Sequence, residues 1–154
     1  MKKYVVYRKE VCKIINDDNG IYNLVPISDE SIKYKVPVNS SLLRDLISKK
    51  EINMLLKDMP FIDAIDSSNE KKMEEVYKEL MKSGTHEDLI KIIKTTYLRN
   101  QIRIFNNKKI SEIDDEYFKR AEKYLYEEIG IVLNMNADDV RDYIIEKLKK
   151  QANV

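Results

Sequence analysis

Side-chain chemistry needs reactive groups within reach of one another, and this sequence offers few. It has one cysteine, Cys12, and one histidine, His86, 74 positions apart. A thiolate–imidazole couple is therefore not expected. A single thiol also excludes an internal disulfide framework or a multi-thiolate metal site. Three glycines in 154 residues leave room for neither a P-loop nor a GxGxxG turn. Glu122, Glu127 and Glu128 make a carboxylate cluster, but no histidine is expected to partner it, and it reads as a solvated helix face. There are ten tyrosines and no tryptophan. Tyr97, Tyr117, Tyr124 and Tyr126 follow helix-interface spacing, which favours packing with a wet phenol tip over base stacking. The expectation is a protein that is not an enzyme and carries no metal and no cofactor.

Charge is more informative than nucleophiles. The 28 basic and 27 acidic residues nearly cancel, yet they are strongly patterned. Lys91, Lys94, Arg99, Arg103, Lys108 and Lys109 lie in a run without one acid, and residues 112–128 then hold seven acids against three bases. An acid-free cationic helix can contact phosphates. It can equally be balanced by an acidic neighbouring helix, and both readings stay open here. At 3.6 residues per turn the cations do not fall on one stripe, and Leu89, Ile90, Ile93, Tyr97 and Ile104 share a face that reads as core.

The elements that position these groups change character along the chain. Tyr4–Tyr7 and Val11–Ile15 read as short strands, followed by Asp17-Asp18-Asn19-Gly20, where Asn-Gly marks a hairpin because both residues tolerate positive φ. Ile21–Ile27 returns, and Ile32–Val38 alternates with period two, while Pro26 and Pro37 push those strands toward edges or ends. A small antiparallel sheet of four or five strands, curled into a barrel, is expected. Tyr4, Val5, Val6 and Tyr7 form a short, uncharged strand suited to pairing with a strand of another protein, the alternative being pairing within its own sheet.

From Leu46 the period is helical. Ser48–Glu51 is a capping box that opens a helix running to about Lys57, before Pro60. Phe61–Ser68 reads as a tether. Helices are expected over about Asn69–Lys82, closed by Gly84, then His86–Phe105, capped by Thr85, then Asp114–Asn134 and Ala137–Lys150. The fold class is α+β: a β-rich module with its linking helix and tether over residues 1–66, and an all-helical module over 67–154. No apolar run approaches the roughly 20 residues that span a bilayer. The Met1–Val6 start lacks a secretory apolar core, so a cytoplasmic, monomeric protein with no membrane association is expected.

Taken in order, several blocks resemble the CarD family of bacterial transcription regulators. Tyr4–Tyr7 with Val11-Cys12-Lys13-Ile14 is similar to the family's opening strand pair, and Lys35-Val36-Pro37-Val38 to its later valine-proline strand. Leu43-Arg44-Asp45-Leu46-Ile47-Ser48-Lys49-Lys50-Glu51 resembles the junction between domains. Leu80–Gly84, Ile92–Arg99 and Arg120–Leu125 carry the helical part of the likeness. The resemblance implies a Tudor-like N-terminal module that docks on the RNA polymerase β subunit by strand addition through Tyr4, Val5, Val6 and Tyr7. It implies a helical module that holds promoter DNA at the upstream edge of the bubble and stabilises the open complex. Lys94, Arg99 and Arg120 match the family's basic residues toward the DNA backbone, and charge adds Lys108 and Lys109. The chain departs from the family in its short first hairpin, in having no tryptophan near Ser67–Lys71, and in Glu122 where a base is usual. The alternative is an adaptor that binds two protein partners without touching DNA.

Overall fold

The computed structural model describes residues 2–66 and 69–152, the last five of these by backbone alone. It is an α+β protein in which a five-stranded antiparallel sheet precedes five α-helices. The strands are β1 (Tyr4–Tyr7), β2 (Glu10–Asp18), β3 (Ile21–Pro26), β4 (Tyr34–Pro37) and β5 (Leu43–Arg44). Their order across the sheet is β4-β3-β2-β1-β5.

Two tight turns set the register. Asn19 (φ 52°) and Gly20 (φ 87°) join β2 to β3 as the Asn-Gly pair requires, and Asp17 Oδ1 accepts a 2.9 Å bond from Gly20 N. Arg8 (φ 47°) and Lys9 (φ 75°) do the same between β1 and β2 without the residue types that favour it. On one sheet face Val5, Cys12, Leu24 and Val36 make a buried cluster, with Tyr7, Ile14, Tyr22, Tyr34 and Leu43 packed around it. Cys12 stands opposite Val5 and Pro26 and is wholly buried, so its thiol is pushed up to about 11 by desolvation, with the nearby Glu10 charge adding to it. The thiol is a packing group, not a nucleophile.

The helices are α1 (Lys49–Asp58), α2 (Met73–Ser83), α3 (His86–Phe105), α4 (Glu112–Leu133) and α5 (Ala137–Ala152), with short 3-10 turns at Met59–Phe61 and Glu70–Lys72. Their ends obey local rules. Gly84 closes α2 at φ 63°, and its N–H bonds the Leu80 carbonyl at 2.9 Å. Thr85 Oγ1 accepts from Asp88 N at 3.1 Å at the start of α3, Ser111 Oγ from Asp114 N at 3.2 Å at the start of α4, and Asn136 Oδ1 from Asp139 N at 2.8 Å at the start of α5. Between α4 and α5 the chain turns so tightly that a Cβ on Gly130 would lie 2.6 Å from the Met135 carbonyl oxygen. Tyr77, Ile92, Ala121, Leu125, Ile129 and Val140 are among the side chains that fill the helical core.

The chain divides into two compact units after Ser48, where the sequence suggested a division after residue 66. The reason is visible in the tether. Ile65 N donates to Thr95 Oγ1 at 2.8 Å, and the Met59 and Ile62 carbonyls accept from Lys94 Nζ, so α1 and the following segment belong with the helices. Ser67 and Ser68, the end of the expected tether, lie outside the described residues. Among the described residues no helix is long and apolar enough to cross a membrane.

Candidate interaction surfaces

The sheet places Tyr4–Tyr7 inside, not at an edge. β1 pairs with β2 over its whole length, and β5 covers Val6 and Tyr7 on the other side. Val5 and Val6 are buried, Tyr4 and Tyr7 half-buried. Of the two readings left open for this strand, an edge for a partner's strand or pairing within its own sheet, the second is the one seen along that edge. A two-residue strand, too short to leave a periodic signal, occupies half of it. On the β5 side Val6 pairs with Arg44 and Tyr7 with Leu43.

The cations of α3 divide sharply by environment. Asp114 sits in the first turn of α4, 1% exposed, and gathers three donors. Arg99 Nε and Arg103 Nη1 each reach Oδ2 at 2.8 Å, and the Tyr77 hydroxyl donates to Oδ1 at 2.9 Å. Glu70 lies at 3.6 Å from Arg99 and 3.4 Å from Arg103, but it is mostly exposed and adds little. Burial alone would raise the Asp114 carboxyl, and the hydrogen bonds from Arg99, Arg103 and Tyr77 outweigh it and hold the group below the usual range. Tyr77, desolvated and bonded to that carboxylate, is held well above its ordinary value. Asn100 Oδ1 completes the cluster by accepting from Arg103 and from Ser111 N.

Lys94 is used internally as well. Its ammonium donates to the Met59 carbonyl and, at 2.7 Å, to that of Ile62, and burial lowers its pKa against the opposing pull of Asp63. Among the described residues Lys91 has only long pairs, 4.0 Å to Glu87 and 3.9 Å to Asp88. The expectation that Lys94 and Arg99 stand exposed toward a ligand is therefore corrected: one is a brace for the 59–62 turn, the other half of a buried ion cluster. Lys108 and Lys109, in the loop after α3, are exposed, and neither ammonium has a partner among the described residues. Arg120 is exposed on α4, its guanidinium 5.2 Å from the centre of the Tyr117 ring and 3.9 Å from Glu116.

Two acids also differ from the reading of a solvated face. Glu128 is buried and its Oε1 lies 2.9 Å from His86 Nε2, so the carboxylate cluster does have a histidine, supplied from α3. Glu122 is buried and accepts a 2.8 Å bond from Arg141 of α5, while the burial around Tyr126 and the charge of Glu122 raise that phenol far above normal. Among the described residues no group of His, Cys, Asp or Glu could hold a metal ion.

What sequence reasoning missed is apolar. Leu89 and Ile90 are core as expected, but Tyr97 and Ile104 are each 53% exposed. Beside Tyr97, an apolar cleft of about 860 Å³ opens among α3, α4, α5 and the 59–61 turn, walled in part by Ile93, Phe118, Leu125 and Ile145. The volume falls within the range of small-molecule pockets. The one signal in the sequence was the even spread of apolar residues around the last three turns of α3, more than one buried stripe needs. Compared with protein-family models and with curated proteins, the chain matches none.

Proposed function

We propose that this chain is a non-catalytic transcription regulator of the CarD type, binding the RNA polymerase β subunit through its sheet module and promoter DNA near the upstream edge of the bubble through its helical module, so that the open complex is stabilised. The observation that carries this reading is the architecture, a compact antiparallel sheet followed along the chain by a compact helical unit, in the order that the resemblance implies. A polymerase strand would have to add at the β5 edge of the sheet, next to β1, where main-chain groups supply affinity. With Lys94 and Arg99 engaged internally, phosphate contact falls to Lys108, Lys109 and Arg120.

The protein-only adaptor is the second reading, and a specific observation favours it: four of the six cations between residues 91 and 109 already have acidic or carbonyl partners. Salt separates the two. If DNA is bound, Lys108→Glu with Lys109→Glu should flatten the slope of log affinity for the promoter complex against log salt by about 0.9 for each phosphate no longer engaged. Binding of the full chain to free polymerase should stay intact. An unchanged slope favours the adaptor, and failure of the chain to co-purify with polymerase from its own cell removes the first reading.

A further inference from the structure

The last turns of α3 present a second apolar face that the helical unit leaves uncovered. Tyr97, Leu98, Ile102 and Phe105 are 53%, 50%, 62% and 87% exposed. With Gln101 they occupy positions i, i+1, i+4, i+5 and i+8, within an arc of about 140° on a helix of 3.6 residues per turn. Arg99 and Arg103 project from the other side toward Asp114, so the stripe holds no charge of its own. Tyr97 is at once part of the stripe and a wall of the cleft, with its ring 6.3 Å from that of Phe118. Stripe and cleft meet at Tyr97.

Size and charge say what could cover it. Four such side chains at these exposures offer on the order of 450 Å² of apolar area, given that aromatic residues bury about 150–250 Å² each. That exceeds scattered surface hydrophobics but falls short of the roughly 800 Å² per partner of a stable dimer. The area and the groove-like continuation suit one helix, not a second folded copy. No Asp or Glu occurs between Asp88 and Glu112, and the ammonium groups of Lys108 and Lys109, without a partner among the described residues, follow Phe105 after Asn106 and Asn107. A basic occupant would be repelled at that end, and a carboxylate would be attracted.

We propose that this surface binds an acidic amphipathic helix of another protein, whose apolar anchors at i, i+3 or i+4, and i+7 lie along Tyr97–Phe105 and enter the cleft, while its carboxylates meet Lys108 and Lys109. Helix-in-groove binding of this kind rests on few deep anchors with charges setting orientation. Such a helix binds whether or not the sheet module engages polymerase. It shares Lys108 and Lys109 with the proposed phosphate contacts and would compete with DNA there, whereas Phe105 and Ile102 take no part in those contacts.

The experiment uses the full chain, immobilised, against a displayed library of short helical peptides with randomised faces, followed by fluorescence anisotropy of the strongest binders. Enriched peptides should carry apolar anchors at helical spacing and more Asp and Glu than Lys and Arg. Ile102→Ser with Phe105→Ser should weaken them by about tenfold or more, as removal of central anchors does, and Lys108→Glu with Lys109→Glu by several-fold. Promoter-complex affinity in the Ile102/Phe105 variant should not change. Phe105→Asn alone, at the most exposed of these positions, gives the same comparison if the double variant does not fold. No enrichment, enrichment without acidic excess, or binding that survives loss of Phe105 overturns the proposal. So does a dimer of the wild-type chain that Phe105→Asn dissolves, since the occupant is then a second copy.

Discussion

Replacing Asp114 by alanine should cost the helical unit more stability than any substitution on its exposed faces. The Ser111 cap survives, because it uses the Asp114 backbone N–H, so only the bonds to the carboxylate disappear. Arg99 and Arg103, with side chains 11% and 21% exposed, are then left side by side with no buried counter-charge, and the fully buried Tyr77 hydroxyl loses its acceptor. Stranding a buried ion partner costs about 3–5 kcal/mol, and a buried hydroxyl without an acceptor about 1–3 kcal/mol more. The partial exposure of Arg103 and the nearby Glu70 recover part of this, which leaves a loss of about 4 kcal/mol. For a unit of this size each kcal/mol shifts the midpoint by about 4 °C or more, so Tm should fall by roughly 15 °C. Urea unfolding followed by far-UV circular dichroism reads the loss directly. Asp114 also sets a pH dependence. Its folded pKa is depressed, so its contribution is present above the unfolded value of about 3.9 and disappears as pH falls through the folded value. In Asp114→Asn the stability lost below about pH 4 should shrink accordingly. A destabilisation under about 1 kcal/mol in the alanine variant would refute the buried-cluster account.

Other consequences follow from the same packing. Lys94→Glu should destabilise by about 2–4 kcal/mol, because a carboxylate would face the Met59 and Ile62 carbonyls, whereas Lys109→Glu should stay within about 0.5 kcal/mol; thermal melts of the two compared side by side decide this. Gly130→Ala should cost about 1–3 kcal/mol, since its methyl meets a backbone oxygen that cannot swing away, and a melt unchanged from wild type would contradict the close approach. Cys12 should resist a thiol reagent in the native protein and react at once in urea, so rapid native labelling would show that the β1–β2–β3 cluster opens far more readily than its burial suggests.

Local rules made much of the fold readable. Asn19-Gly20, Thr85 and Gly84 each act through their own backbone neighbours, so sequence proximity carries the signal, and all three sit where local chemistry places them. The α+β order and the bounds of α3 were legible for the same reason. The fate of the cations was not. Helical projection tells which residues share a face of one helix, but Arg99 and Arg103 are spent on Asp114 across a helix pair, and Lys94 on carbonyl oxygens that no residue type announces. The acid-rich stretch after residue 111 was the one clue, and it pointed to the balanced reading. β5 escaped because two residues show no alternation, which left the pairing of β1 open in the sequence. Tyr97 and Ile104 were assigned to the core because an apolar residue fits the buried and the bare side of α3 equally well.

The helix pair α3–α4 is pinned twice. His86 meets Glu128 near one end, and Arg99 with Arg103 grips Asp114 toward the other. Thirteen residues of α3 separate the first pin from Arg99, which at 1.5 Å per residue is a span of about 20 Å. Sliding one rod past the other by a single turn would break both pins at once, so the pair behaves as a clamped beam and not as two hinged struts. The bare side of α3 is mounted on that beam. A face held stiff before it meets anything loses little freedom on contact, and a push delivered at Phe105 is carried along the whole length of the pair to the far pin.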